Sequence, residues 1–140
     1  MIDHPKINKI VELGFGDFQL SGRLRIPASK TYHGFDVAKV LLRPNETNKF
    51  FSIITGIHDF NETGDLLLIK QVMQHWPNAE IKWFLDNIVP RFKYALLTND
   101  PTTRPRGDIR YGRYSPVNMN DYHPKKEMLG PGCYIIPDEP

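Results

Sequence analysis

At 140 residues, with 40% apolar and 24% charged side chains, the chain has the size and composition of one globular domain and lacks the length for two independent cores. Its net charge of +2 is too small to demand a polyanionic partner, and one cysteine, Cys133, excludes an internal disulfide and suits a reducing compartment. No stretch approaches the roughly 18 apolar residues of a membrane span. The N-terminus, with Asp3, His4, Lys6 and Lys9 ahead of Gly14, lacks a signal peptide's apolar core, so the expectation is a cytoplasmic protein without a membrane partner.

Residues 7–13 could form either a strand or a helical turn, after which Gly14, Phe15, Gly16 and Asp17 turn the chain. Phe18, Leu20, Leu24 and Ile26 predict an alternating strand bent at Ser21 and Gly22, with Arg23 and Arg25 on a solvated face. Residues 27–35 read as loop. Residues 37–42 form a short apolar run, a predicted strand, ended by the turn sequence Arg43, Pro44, Asn45, Glu46.

The clearest pattern lies between Phe50 and Leu85. Residues 50–57 are apolar at nearly every position, as in a strand buried on both faces. Residues 58–64 turn the chain and place Thr63 as a helix cap, and Leu66, Ile69, Met73 and Trp76 recur at helical spacing until Pro77 and Asn78. Ile81, Trp83 and Leu85 then alternate as a second strand would. A connection of about twenty residues suits a crossover helix between parallel strands. The predicted fold is therefore α/β, a mostly parallel sheet with at least one right-handed β-α-β crossover, over residues 1–100.

Residues 92–97 form a further short strand or helical turn. Eight of the twelve prolines lie at or beyond Pro90, so residues 101–140 read as a loop-rich basic arm packed on the domain or on a partner. From Thr102 to Lys126 the basic residues Arg104, Arg106, Arg110, Arg113, Lys125 and Lys126 face only Asp108 and Asp121, and Tyr111 and Tyr114 sit among them. Arginine forks bind phosphates and tyrosine faces stack on bases, which makes these residues binding candidates for a nucleic acid; pairing with carboxylates of the domain or of a neighbouring subunit is the alternative.

Catalytic chemistry is harder to place. The five histidines lack the spacing that puts two metal ligands on one helix face, Cys133 has no nearby basic partner, and no serine sits in a nucleophile elbow. No pattern assigns a metal, a cofactor or a catalytic residue. The turn carrying His58, Asp59, Asn61 and Thr63 is the ligand-binding candidate by position, because ligands of open α/β sheets bind beyond the carboxyl ends of strands.

The helix-like start Gly64, Asp65, Leu66, Leu67, Leu68, with the later segment Val89, Pro90, Arg91, Phe92, Lys93, Tyr94, Ala95, resembles the first domain of ribose-phosphate pyrophosphokinases. That resemblance implies a phosphoribosyltransferase-like fold and adds Arg91 and Tyr94 as ligand contacts. Leu96 to Asp100 stand where the family carries an Arg-x-Asp-Arg-like run that contacts ATP, Arg23 stands where it carries a glutamate, and the domain bearing its ribose-phosphate loop has no counterpart here. The resemblance thus implies a non-catalytic binding or regulatory protein that associates with itself, a protein partner or a nucleotide. A nucleic-acid-binding accessory protein using the arm, or a structural subunit of an assembly, are the alternatives.

Overall fold

The computed structural model describes residues 2–16, 19–37, 47–122, 127–130 and 132–137, which form two compact units, Met1–Leu68 and Ile69–Pro140. In the first unit, β1 (Lys9–Leu13) leads through the short helix α1 (Gln19–Arg23) into β2 (Thr31–Asp36), and β3 (Lys49–Ile53) follows. β1 and β2 run parallel in a register of Ile10 with Tyr32 and Leu13 with Phe35, so β1-α1-β2 is a β-α-β unit. β3 adds in parallel beyond β2, and β4 (Gly64–Lys70) returns to the other side of β1, pairing Ile10 with Leu66 and Glu12 with Leu68. Because the chain steps outward from β1 to β3 and then comes back, the order reverses between β1 and β4. Ligands of parallel sheets bind at such a reversal, beyond the carboxyl ends of the strands.

Ile10, Val11, Leu66, Leu67 and Leu68 are buried in consecutive positions, as central parallel strands require. Aromatic rings fill the rest of this core, with Phe15 edge-on to Phe51 at 5.5 Å and Phe35 edge-on to Phe60 at 5.2 Å.

The second unit contains α2 (Asn78–Asn87), β5 (Phe92–Thr98), β6 (Glu127–Gly130) and β7 (Cys133–Pro137). β7 lies antiparallel between β5 and β6, with Leu96 opposite Ile135. Ile81, Phe84, Leu85 and Ile88 give α2 one buried stripe, and Trp76 meets Phe84 edge-on at 5.4 Å. With three parallel strand pairs in the first unit against two antiparallel pairs in the second, the chain is an α/β protein with a mostly parallel sheet. No helix among the described residues is long and apolar enough to cross a membrane.

Several elements differ from their sequence-based expectation. The segment from Leu66, expected as a helix, is strand β4 as far as Lys70 and then a 3-10 turn at Met73–His75. Its unbroken apolar run fits any period, helical spacing included, because the strand is buried on both faces. Residues 81–85, expected as a strand, belong to α2. Pro77 opens that helix where it was expected to close the previous one, since the first helical turn does not need the missing N–H. Residues 19–23 are helical and not strand, whereas residues 31–35, within the stretch expected as loop, belong to β2. Of the strand expected at 37–42, Val37 is a bend and the remainder lies outside the described residues.

Candidate functional site

The chain turns sharply as it leaves β1, and it does so on two glycines with left-handed backbone, Gly14 at φ 82° and Gly16 at φ 57°. Only glycine adopts such angles without a Cβ penalty. Both amides are aimed at the end of β2. Gly14 N donates to the Phe35 carbonyl at 2.6 Å, and Gly16 N donates to Asp36 Oδ2 at 2.8 Å. Asp36 Oδ1 accepts from Val37 N at 2.7 Å, while the Asp36 carbonyl accepts from Ile54 N at 2.9 Å. The glycine turn, the β2 end and the β3 end are therefore tied at one corner of the unit, next to the strand-order reversal. A Cβ built on Gly16 would meet nothing within 4 Å, so the backbone there faces open space.

A buried polar pair supports this corner from below. Glu12, only 1% exposed, accepts a short hydrogen bond from the Tyr32 hydroxyl across the β1–β2 pairing. Burial, and after it the Glu12 charge, pushes the Tyr32 hydroxyl far above its ordinary pKa and keeps it a donor. Gly34 lies beside them: a side chain there would begin 2.8 Å from Tyr32 Oη and 3.0 Å from the Phe15 ring. Phe15 in turn anchors the middle of the glycine turn in the core.

Chemically, the corner offers a ligand bare backbone and one carboxylate. Asp36 follows Gly16 by 20 residues. An acid about that far beyond a glycine-rich strand-to-helix turn accepts hydrogen bonds from a ribose in nucleotide-binding α/β folds. Its two oxygens accept from the backbone amides of Gly16 and Val37, which fix the carboxylate at the end of β2.

The residues singled out from sequence lie elsewhere. His58 and Asp59 are exposed on the 3-10 turn Ile57–Asp59 after β3, Asn61 is exposed, and Thr63 precedes a strand, so it caps no helix. Arg91 and Tyr94, both half-buried, belong to the second unit, on the turn before β5 and on β5 itself.

Within the arm, Arg104, Arg110, Tyr111, Arg113 and Tyr114 are exposed, with the Tyr114 hydroxyl donating to Asp100 Oδ2 at 2.5 Å. Arg106 is buried. It donates to the carbonyls of Gln74, Trp76, Ser115 and Pro116 and to Asn78 Oδ1, at 2.7–3.2 Å. No group of three or more potential metal ligands occurs among the described residues. The sequence signal for this corner is Glu12-x-Gly14-x-Gly16 behind an apolar pair, with Asp36 following. It needs residues 9–13 and 31–36 to be recognised as neighbouring strands before it means anything.

No protein-family model and no curated protein matches the sequence. In fold the chain is similar to a cyclopropane-fatty-acyl-phospholipid synthase-like protein from Lactobacillus casei ATCC 334, with TM-score 0.53 and 17% identity over 68% of this chain. It spans 44% of that protein's chain, under half its length. It is also similar to DhpI in complex with SAH (TM-score 0.55, 13% identity, 95% of this chain and 78% of that one). The DhpI complex with SAM and HEP gives TM-score 0.56 and 13% identity, over 96% and 79% of the two chains. At these identities the likeness is one of fold. It overturns the phosphoribosyltransferase-like reading, whose supposed helix start at Gly64 is the first residue of a strand. With it go the non-catalytic binding or regulatory role built on that half domain and the inclination against an enzyme, since the fold is shared with a protein captured with SAM and with SAH.

Proposed function

We propose that this protein is a methyltransferase that binds S-adenosylmethionine at the corner formed by the glycine turn after β1 and by Asp36. The observation that carries the reading is the tie between Gly16 N and Asp36 Oδ2, which joins a left-handed glycine turn and an acid at the end of β2 beside the strand-order reversal. In support stand the two DhpI complexes, one with SAH and one with SAM, which share the fold over nearly the whole chain.

When bound, the cofactor supplies an electrophilic methyl group on a sulfonium centre. The chain's own residues do the holding. The turn at Gly14 and Gly16 presents backbone without side chains, so the ligand can approach closely, and Asp36 accepts from the ribose hydroxyls. Glu12 and Tyr32 do not reach the ligand in this reading; they fix the height of the turn.

Calorimetric titration with SAH tests the proposal. Binding is expected for the native chain, and Asp36→Ala should weaken it about tenfold to a hundredfold, the worth of hydrogen bonds to a charged acceptor. Absence of SAH binding by the native protein, or unchanged affinity in Asp36→Ala, rejects this site.

A further inference from the structure

We propose that the second unit carries a separate small-molecule site that takes an oxyanion, a carboxylate or phosphate, attached to an apolar body. The site is a cavity of about 410 Å³ between the segment after β5 and the turn Met119–Asp121. That volume falls within the range of about 300–1,000 Å³ typical of ligand pockets. Nothing in the methyl-transfer reading uses it.

The chemistry of the lining selects the ligand. Thr102, Thr103 and Arg104 border the cavity, and among the described residues that line it there is no acidic side chain. Among the described residues the Arg104 guanidinium has no acceptor, since the contacts of this residue run through its backbone. Thr102 Oγ1 already accepts from Arg104 N at 3.2 Å, so its hydroxyl hydrogen is free to donate outward. Thr103 is exposed beside it. Three donors of this kind without a competing carboxylate suit an anion, and the planar guanidinium suits one with two oxygens. Pro101, Met119 and Tyr134 supply apolar wall, and Met119 and Tyr134 are buried.

The two sides of the cavity are also held in place before any ligand arrives. Pro101 forms a bridge with Val117, whose amide donates to the Asp100 carbonyl at 3.0 Å. Buried Asn118 then spans the gap, with Nδ2 donating to the Arg104 carbonyl at 3.4 Å and Oδ1 accepting from Asn120 N at 3.1 Å. Such bracing reduces the ordering that binding would otherwise require.

The test is amide chemical-shift mapping on the full chain with three probes of one shape: phenyl phosphate, benzoate and the neutral benzamide. Both anions should shift the amides of residues 102–104 and 118–120, benzamide should not, and Arg104→Gln should weaken the anions about tenfold or more. Thr103→Val, which keeps the charge and removes one donor, should weaken them less. If benzamide binds as well as benzoate, if Arg104→Gln binds the anions unchanged, or if none of these amides moves at millimolar probe, the site does not exist as described. A parallel SAH titration read at the Gly16 amide reports on the first unit alone, so failure of the cofactor reading and failure of this one are told apart.

Discussion

Gly34 is where the candidate cofactor corner is most exposed to a single change. Its neighbours cannot move aside cheaply, because the Tyr32 hydroxyl is held by a buried carboxylate and Phe15 is anchored in the core. Gly34→Ala should therefore cost about 1–3 kcal/mol, the range for overpacking, and should lower the denaturant midpoint without changing the slope. An unchanged midpoint would mean that the ring and the hydroxyl yield freely. His33, on the same strand, supplies a pH dependence. Its ring stacks on Phe35 at 4.1 Å and meets Ser52 Oγ at 2.7 Å. Burial holds its pKa below the ordinary 6.5, with Lys9 acting in the same direction and Glu62 against it. The folded state thus binds a proton later than the unfolded state. Stability should fall as pH drops below 6.5 and level off once the pH is under the folded-state value. Chemical denaturation from about pH 7.5 to about pH 5 should show this fall for the native chain and a flatter line for His33→Gln, which isolates the imidazole from the carboxylates.

Among the elements, the loop between β5 and β6 depends on one side chain. Arg106 uses all five of its N–H donors inside the second unit, joining the segment at Gln74, Trp76 and Asn78 to the segment at Ser115 and Pro116. Arg106→Ala leaves several acceptors unpaired at about 1–3 kcal/mol each, so a loss of about 3 kcal/mol or more is expected in equilibrium unfolding. Arg106→Lys should recover only a minor part, because an ammonium offers three donors without the planar fork. A lysine variant as stable as the native chain would show that the guanidinium geometry is dispensable. This residue also explains why the arm was hard to interpret from sequence: an arginine among arginines looks solvated until its carbonyl partners, about 10 and 30 residues away, are known. β2 was hidden for a related reason. Tyr32 and His33 make Thr31–Asp36 look like polar loop, and only Glu12, 20 residues earlier, and Ser52, 19 residues later, turn those polar groups into strand interior.

At the scale of the whole molecule, the α/β class was legible because central parallel strands announce themselves as unbroken apolar runs, as β4 does at residues 66–69. The same property erased the distinction between strand and helix from Leu66 to Leu85, where length and proline position gave opposite readings of one pattern. The candidate site was legible only as a turn. Its working parts are backbone angles and amide directions, which residue identity encodes weakly, and its single acid gains meaning from strand neighbours that must first be placed. A corner made this way constrains evolution lightly. It asks for glycine at two positions and a short acid at a third, while the residues around them need only keep their bulk. Two chains can therefore exchange most of their alphabet and still keep one fold, as chains sharing fewer than one residue in five do here.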